Sequence, residues 1–100
     1  DNTWFTLLGH EKNELIKYVR NETGEDISSV ATRIWCVTEC ARKAGLPYDS
    51  ALVFDHADEK DTVYFSAGEC VIMTYKCRIT NNIDPMVFAV LLKPTYEKAI

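Results

Sequence analysis

The stretch from Asp26 to Gly45, DISSVATRIWCVTECARKAG, carries local signals for both ends of one helix. Asp26 is a favourable N-cap, and Lys43 followed by Gly45 combines a cationic last turn with a residue that tolerates left-handed backbone. Between these ends the apolar residues recur at spacings of three and four, which places them on one stripe of an α-helix. The stripe comprises Ile27, Val30, Ala31, Ile34, Val37 and Ala41. A long amphipathic helix is therefore predicted, and it needs a core opposite its stripe.

A second, shorter helix is predicted upstream, from His10 to Asn21, where strong helix formers dominate. Its apolar side chains Leu15, Ile16 and Val19 lie on one side. Gly24 separates the two segments, so the helices are predicted to be consecutive and joined by a tight connection.

The rest of the chain has the composition of short strands separated by polar turns, the longest of which runs from Asp55 to Asp61. The predicted strands are Ala51 to Phe54, Thr62 to Ser66, Cys70 to Ile79 and Met86 to Leu92, with Trp4 to Leu8 as a further candidate. The third strand alternates in polarity, so one of its sides is predicted to be covered and the other mostly solvated. The fourth is continuously apolar, which is typical of a central or doubly covered strand.

Two helices followed by consecutive strands predict an α+β fold in which both helices pack on one face of a four- to five-stranded antiparallel sheet. The 100 residues, 1–100, fit a single domain, and a hydrophobic content of 47% is enough for a core. No run approaches the roughly 18 apolar residues that cross a bilayer, so no transmembrane segment is predicted.

The four cysteines, Cys36, Cys40, Cys70 and Cys77, are predicted to form disulfides that support this fold. Cys36 and Cys40 lie one helical turn apart, about 6 Å along the axis, and both are expected to point away from the apolar stripe. In an unbroken strand Cys70 and Cys77 are roughly 23 Å apart and face opposite sides. A disulfide spans a Cα separation of only about 4.4–6.8 Å, so two helix-to-strand bridges require an interrupted strand.

Three arrangements satisfy this geometry. Both helix cysteines reach an interrupted strand; or one bridge forms and two thiols remain; or all four are reduced core residues. We favour two bridges, with the interruption as their consequence, and we expect Cys77 rather than Cys70 to face the helices because Val71, Met73 and Tyr75 share its side. A zinc site needs all four sulfurs to converge and meets the same distance problem, so no metal or other cofactor is predicted.

Several features favour a secreted, extracellular protein. Cysteine pairs in a short domain are typical of oxidising compartments, and Asn21-Glu22-Thr23 is an acceptor sequon, which makes Asn21 a candidate glycosylation site on the surface. The chain begins with Asp1, as a mature product does after signal removal, although a chain trimmed by other means begins the same way. A net charge of -4 and a pI near 5.1 argue against binding to nucleic acid or anionic membranes.

No catalytic or phosphate-binding signature occurs in the sequence. The only histidines, His10 and His56, each lie beside a carboxylate, and a histidine with a carboxylate and an arginine could cleave RNA by acid/base catalysis. Under that hypothesis His56, Glu69 and Arg78 are the candidates, with their individual roles unassigned. A solvated turn and a helix start are ordinary places for His56 and His10, so no catalytic residue is predicted.

The sequence thus predicts a small secreted, disulfide-containing protein that acts by binding another macromolecule, as an effector, toxin subunit or inhibitor. A protein partner is predicted, whereas the oligomeric state is not. The alternative is a small secreted hydrolase such as a ribonuclease, because small microbial ribonucleases also place helices before an antiparallel sheet. Enzymatic activity is the less favoured interpretation.

Overall fold

From His10 onward the chain forms two helices followed by four strands, and the computed structural model describes residues 10–46, 51–58, 61–77 and 86–92. The elements are α1 (His10–Thr23), α2 (Ile27–Lys43), β1 (Leu52–Ala57), β2 (Thr62–Ala67), β3 (Cys70–Cys77) and β4 (Met86–Leu92). The strands form an antiparallel sheet in the order β1-β2-β3-β4, and the helices pack on it, which confirms the α+β prediction. The candidate strand from Trp4 to Leu8 lies outside the described residues.

Helix α2 begins and ends where its local signals place it. The Asp26 carboxylate accepts a hydrogen bond from the N–H of Ser29 at 2.8 Å. Gly45 follows the helix with a left-handed φ of 91°, a conformation that strains any residue with a Cβ. The fully buried members of the predicted stripe are Val30, Ala31, Ile34 and Val37. At about 1.5–3 kcal/mol for each large aliphatic side chain, this stripe is a main source of stability.

Helix α1 buries Ile16 and Val19, and a tight connection leads from it to α2, as predicted. Gly24 turns the chain with a φ of 77°. Thr23 closes the helix end, since its hydroxyl donates to the carbonyl of Val19 at 2.8 Å and accepts the N–H of Glu25 at 3.2 Å. Neither α1 nor α2 is long and apolar enough to cross a membrane.

The core lies between the helices and one face of the sheet, with α1 over β1 and α2 over β3 and β4. β2 contributes Val63 and Phe65, and β3 contributes Ile72. The ring of Phe65 meets Phe54 edge to face at 6.4 Å between centroids, and Phe54 meets Tyr18 of α1 in the same way at 5.6 Å. Aromatic contacts of this kind connect the first helix, the first strand and the core.

Two strand predictions differ from the structure. β1 continues through Ala57 into the predicted polar turn, because His56 and Ala57 pair with β2 beyond an irregularity in the register after Phe54. β4 is not central but lies at one edge of the sheet formed by the described residues, with Met86 and Phe88 exposed. A continuous apolar run does not distinguish a strand covered on both sides from one that presents an apolar side to solvent.

The prediction of which side of β3 faces the helices is wrong. Ile72 and Thr74 are fully buried, whereas Tyr75 is exposed. Because side chains alternate along a strand, Cys70 shares the helix-facing side and Cys77 lies on the opposite side. Both sides of β3 carry apolar residues, so hydropathy alone favoured the side with the larger number of them.

The predicted interruption of β3 is also wrong. Its pairing with β4 continues without a shift from Val71 opposite Leu92 to Cys77 opposite Met86. Its pairing with β2 is regular as well. The strand therefore keeps Cys70 and Cys77 far apart and on opposite sides, which removes the bend that two bridges to α2 would need.

Candidate functional site

A buried arginine lies in the contact between α2 and the sheet. Arg33 is 0% exposed. It follows Val30 by three residues and precedes Val37 by four, so it lies on the apolar stripe itself. Arg33 is not among the site residues predicted from the sequence, and a charged residue at stripe spacing is the signal that could have revealed it.

Every N–H of the Arg33 guanidinium has an acceptor. Nε and Nη2 donate to the two carboxylate oxygens of Glu25 at 2.8 and 2.7 Å, the bidentate geometry of a strong ion pair. Nη1 donates to the carbonyl and the hydroxyl of Thr74 at 3.0 and 2.9 Å. Nη2 also donates to the carbonyl of Asp61 at 2.8 Å. The buried charge is therefore paired, and all of its donors are satisfied.

Further bonds extend this group, which we call the Arg33 cluster and define as Glu25, Arg33, Asp61, Thr74 and Lys76. Lys76 Nζ lies 3.1 Å from Glu25 Oε2, and the N–H of Lys76 donates to the Asp61 carbonyl at 3.1 Å. The hydroxyl of Thr74 donates to the carbonyl of Val63 in β2 at 2.9 Å. The cluster thus joins the α1–α2 connection, α2, the start of β2 and the middle of β3.

The electrostatics of Glu25 indicate a structural role for the cluster. Burial alone would raise the pKa of Glu25, but the hydrogen bonds and charges of Arg33 and then of Lys76 outweigh burial, so the pKa lies below its ordinary value. A cavity of about 450 Å³ beside the cluster also has Glu22 and Asp58 in its lining. Because Glu25 is ionised and paired, and Arg33 has no spare N–H, these two side chains supply neither a proton donor nor an anion site.

All four cysteines are half-buried free thiols. Cys40 lies seven residues after Arg33, which brings it back to nearly the same side of the helix, and it packs against the core. The expectation that it points away from the stripe is therefore wrong. The thiol of Cys36 points at the carbonyl of Val87 in β4, with 3.8 Å between sulfur and oxygen.

Burial affects the chemistry of the two helix cysteines. Burial raises the pKa of the Cys36 thiol, and the charge of Cys40 raises it further. Burial also raises the pKa of the Cys40 thiol. The charge of Lys43 lowers this pKa, and the charge of Cys70 raises it. Cys40 and Cys70 are thus close enough for their charges to interact. Cys77 lies on the other side of the sheet, so any bridge from it to α2 would have to cross the sheet.

The hypothetical RNA-cleaving residues are not brought together. His56 Nδ1 lies 2.6 Å from Asp55 Oδ2, and its ring stacks on Tyr64 at 4.1 Å between centroids. His56 pairs opposite Tyr64 near the start of β2, whereas Glu69 lies in the turn after β2, more than roughly 10 Å along the strand. Arg78 lies outside the described residues.

The remaining predicted positions are on the surface or at an element end. Asn21 is exposed in the last turn of α1, where the sequon was expected to lie. His10 is the first residue of that helix. Within the described part of the chain, no three His, Cys, Asp or Glu side chains are arranged to hold a metal ion.

The sheet face opposite the helices, which we call the outer face, is apolar. Its described residues are Val53, His56, Thr62, Tyr64, Ser66, Val71, Met73, Tyr75, Cys77, Met86, Phe88, Val90 and Leu92. Val53 is 56% and Phe88 48% exposed. Tyr75 lies directly opposite Phe88, and Met73 opposite Val90, so the exposed side chains are neighbours across the strands. None of these thirteen residues is Lys, Arg, Asp or Glu, and Asp55 lies next to the face in β1, within 2.6 Å of the His56 ring.

The outer face is similar in size to the largest apolar patch that a typical monomeric protein exposes. Four strands spaced about 4.8 Å apart, each about six residues long at roughly 3.3 Å per residue, cover about 19 by 20 Å. Monomeric proteins rarely expose apolar patches beyond a few hundred Å², and the largest ones are often functional. Apolar side chains with a polar margin are also the usual anatomy of a protein interface.

Comparison with known proteins gives no match: no family model matches the chain, and neither a curated protein nor a solved structure matches it.

Proposed function

We propose that this protein acts by binding another protein through its outer face. The observation that carries the proposal is the row of exposed, uncharged side chains around Tyr75 and Phe88. Aromatic and methionine side chains are enriched in protein interfaces, and large aromatic residues near the centre often dominate the binding energy. Phe88 and Tyr75 are the expected anchors of this interface.

The chemistry of the outer face favours a protein over other macromolecules. Binding to nucleic acid depends on lysine and arginine at phosphates, and no described residue of the outer face is either. An anionic membrane would likewise repel a chain with a net charge of -4. A protein partner with an apolar, uncharged contact surface needs no phosphate contacts and is not repelled by this net charge.

The same charge favours a different protein over a second copy of this chain. Pairing two copies would bring two net charges of -4 together, and this repulsion opposes self-association. A partner that is neutral or basic overall avoids that cost. We therefore propose a neutral or basic protein whose apolar patch covers the outer face.

Secretion remains part of this proposal. The sequon at Asn21, which is exposed on α1, supports it, as do the four cysteines in a chain of 100 residues. A secreted binding protein of this size would act as an effector, toxin subunit or inhibitor. No geometric observation favours the ribonuclease alternative, since His56 and Glu69 lie at opposite ends of β2.

A paired capture experiment tests the proposal. The immobilised chain is exposed to extracellular fluid of its source, and the captured proteins are identified for the wild type, for Phe88→Asp and for Ser28→Asp. Both variants add one negative charge, but Ser28 is exposed on α2, away from the outer face. The proposal expects at least one protein that the wild type and Ser28→Asp retain equally and Phe88→Asp loses by about 30-fold or more, the effect of a ~2 kcal/mol anchor.

Two results would contradict this proposal. Equal retention by Phe88→Asp and Ser28→Asp would show that the outer face does not bind the partner. A concentration-dependent dimer in sedimentation velocity that Phe88→Asp abolishes would assign the face to a second copy instead. Circular dichroism of each variant shows that it is folded, and Val90→Asp replaces Phe88→Asp if the latter unfolds.

A further inference from the structure

Two fixed contacts define how α2 lies along β3. In the first half of the helix, Arg33 donates to the carbonyl of Thr74 at 3.0 Å. Just beyond its end, Leu46 Cδ2 lies 3.6 Å from the position that a Cβ on Gly68 would occupy. The helix therefore runs along β3 in the direction opposite to the strand, from Thr74 towards the β2–β3 turn.

Between these contacts, Cys40 and Cys70 come to the same level. Cys40 lies seven residues after Arg33, about 10 Å along a helix. Cys70 lies four residues before Thr74, about 13 Å along a strand. Both distances are measured from the same hydrogen-bonded pair and in the same direction, so the two cysteines lie near each other at the end of the helix–sheet layer.

The two side chains also share that layer. Cys40 is nearly aligned with Arg33 around the helix and packs against the core. Cys70 and Thr74 are an even number of residues apart, so both lie on the helix-facing side of β3. The other two cysteines are placed differently, because Cys36 contacts β4 and Cys77 belongs to the outer face.

We propose that Cys40 and Cys70 form a disulfide under oxidising conditions, which joins the last turn of α2 to the first residue of β3, while Cys36 and Cys77 remain thiols. The regular β3 strand excludes the two helix-to-strand bridges favoured from the sequence, whereas one bridge at this end requires no bend. The proposal is independent of partner binding, since neither Cys40 nor Cys70 lies on the outer face.

Glutathione disulfide is the oxidant for this reaction. One cysteine thiolate attacks a sulfur of glutathione disulfide and releases a glutathione thiolate, leaving a mixed disulfide on the protein. The second thiolate attacks the protein sulfur of that mixed disulfide and releases the other glutathione. Two cysteine thiols thus give one protein disulfide and two glutathione thiols, and two electrons pass from the protein to glutathione.

Peptide mapping can identify the bridge without ambiguity. The full chain is incubated with excess glutathione disulfide, its remaining thiols are blocked with N-ethylmaleimide, and it is digested with trypsin and a glutamyl endopeptidase. Cleavage after Glu39, Arg42, Glu69 and Lys76 separates the four cysteines into peptides 34–39, 40–42, 70–76 and 77–78. We expect peptide 40–42 to be linked to peptide 70–76, with Cys36 and Cys77 carrying N-ethylmaleimide.

Serine variants provide the matched controls. The cross-linked peptide should persist in Cys36→Ser and disappear in Cys40→Ser and in Cys70→Ser. Oxidation should raise the Tm of the wild type and of Cys36→Ser by more than about 10 °C, because the bridge closes a loop of about 30 residues. Cys40→Ser should show no such rise.

Any other pairing overturns the proposal. Peptide 34–39 linked to 40–42 or to 70–76 would show that Cys36 is the reactive partner. Peptide 77–78 in a cross-link would show that Cys77 reaches another cysteine. Complete labelling of Cys40 in excess glutathione disulfide would show that the two thiols do not meet in the folded protein.

Discussion

The guanidinium of Arg33 contacts Glu25, Asp61 and Thr74, which belong to three separate parts of the sequence. Removal of a buried charge partner leaves the other charge without compensation, which is more damaging than the net value of the pair. The contacts of Arg33 therefore affect both the stability of the protein and the dependence of that stability on pH.

Replacement of Arg33 should destabilise the protein strongly. We expect Arg33→Met to lower the free energy of unfolding by about 3–5 kcal/mol, because Glu25 loses its bidentate partner and Thr74 loses the N–H donors of the guanidinium. Lys17→Met removes an exposed ion pair with Glu14 and should change the free energy of unfolding by no more than about 0.5 kcal/mol. Urea unfolding of both variants measures the difference. A loss in Arg33→Met as small as that of Lys17→Met would contradict the assignment of a buried ion pair.

The lowered pKa of Glu25 makes part of the stability depend on pH. The folded-state pKa lies below the unfolded value near 4.5, so the contribution of ionised Glu25 is complete above that value and is lost as the pH falls through the folded pKa. We expect the free energy of unfolding to fall between about pH 6 and about pH 3, and to fall less in Glu25→Gln, which cannot ionise. Urea unfolding at several pH values measures both slopes, and equal slopes would contradict this cause.

Asp26 and Glu39 contribute to the acid dependence as well, so Glu25→Gln should reduce the slope without abolishing it. The pKa of Asp26 is lowered by its bonds to Ser29, and that of Glu39 by its bond to Arg42. Both carboxylates are near the surface, where solvent screens their charges.

At the scale of elements, the Asp26 side chain caps the N-terminus of α2. We expect Asp26→Ala to lower the free energy of unfolding by about 1 kcal/mol, since the N–H of Ser29 loses its acceptor. Ser28→Ala, two residues further along in the first turn, should change it by no more than about 0.5 kcal/mol. Thermal or urea unfolding of the pair compares the two values, and equal losses would show that the cap bond does not stabilise the helix.

The elements that the sequence predicts correctly are those whose signals are local. Asp26 and Gly45 define the ends of α2, and Gly24 defines the break before it, because capping and left-handed backbone depend on a few neighbouring residues. Spacing likewise identifies the buried apolar residues of both helices, although not Arg33. These features account for the helices and the α+β class.

The features that the sequence does not predict depend on neighbours distant in the chain. The buried side of β3 is the one with Thr74, because Arg33 supplies a hydrogen-bond donor there, and neither residue is a conspicuous core candidate alone. The edge position of β4 depends on the order of the strands. The exposure of the outer face is therefore not predicted, because its mostly apolar residues are also typical of a strand buried in a core.

At the scale of the whole molecule, β4 is an edge strand of the sheet that the described residues form, and its outer side is apolar. Edge strands of this kind template association between chains, and charged side chains on them oppose it. We expect Val90→Glu to slow aggregation of the isolated protein on heating, and Ser28→Glu, which adds the same negative charge to α2, to slow it much less. Light scattering during a thermal ramp compares the rates, and equal rates would attribute the effect to net charge alone.

The outer face and the Arg33 cluster lie on opposite sides of β3, in alternating residues of one strand. Tyr75 lies between Thr74 and Lys76, so a shift of one residue in strand register would put an aromatic ring where the guanidinium needs a hydroxyl and a carbonyl. A misaligned hairpin would then hold a positive charge in the core without acceptors, at a cost of several kcal/mol. The contacts of Arg33 therefore favour the native register of β2 and β3, because a shifted register leaves the buried guanidinium without these acceptors.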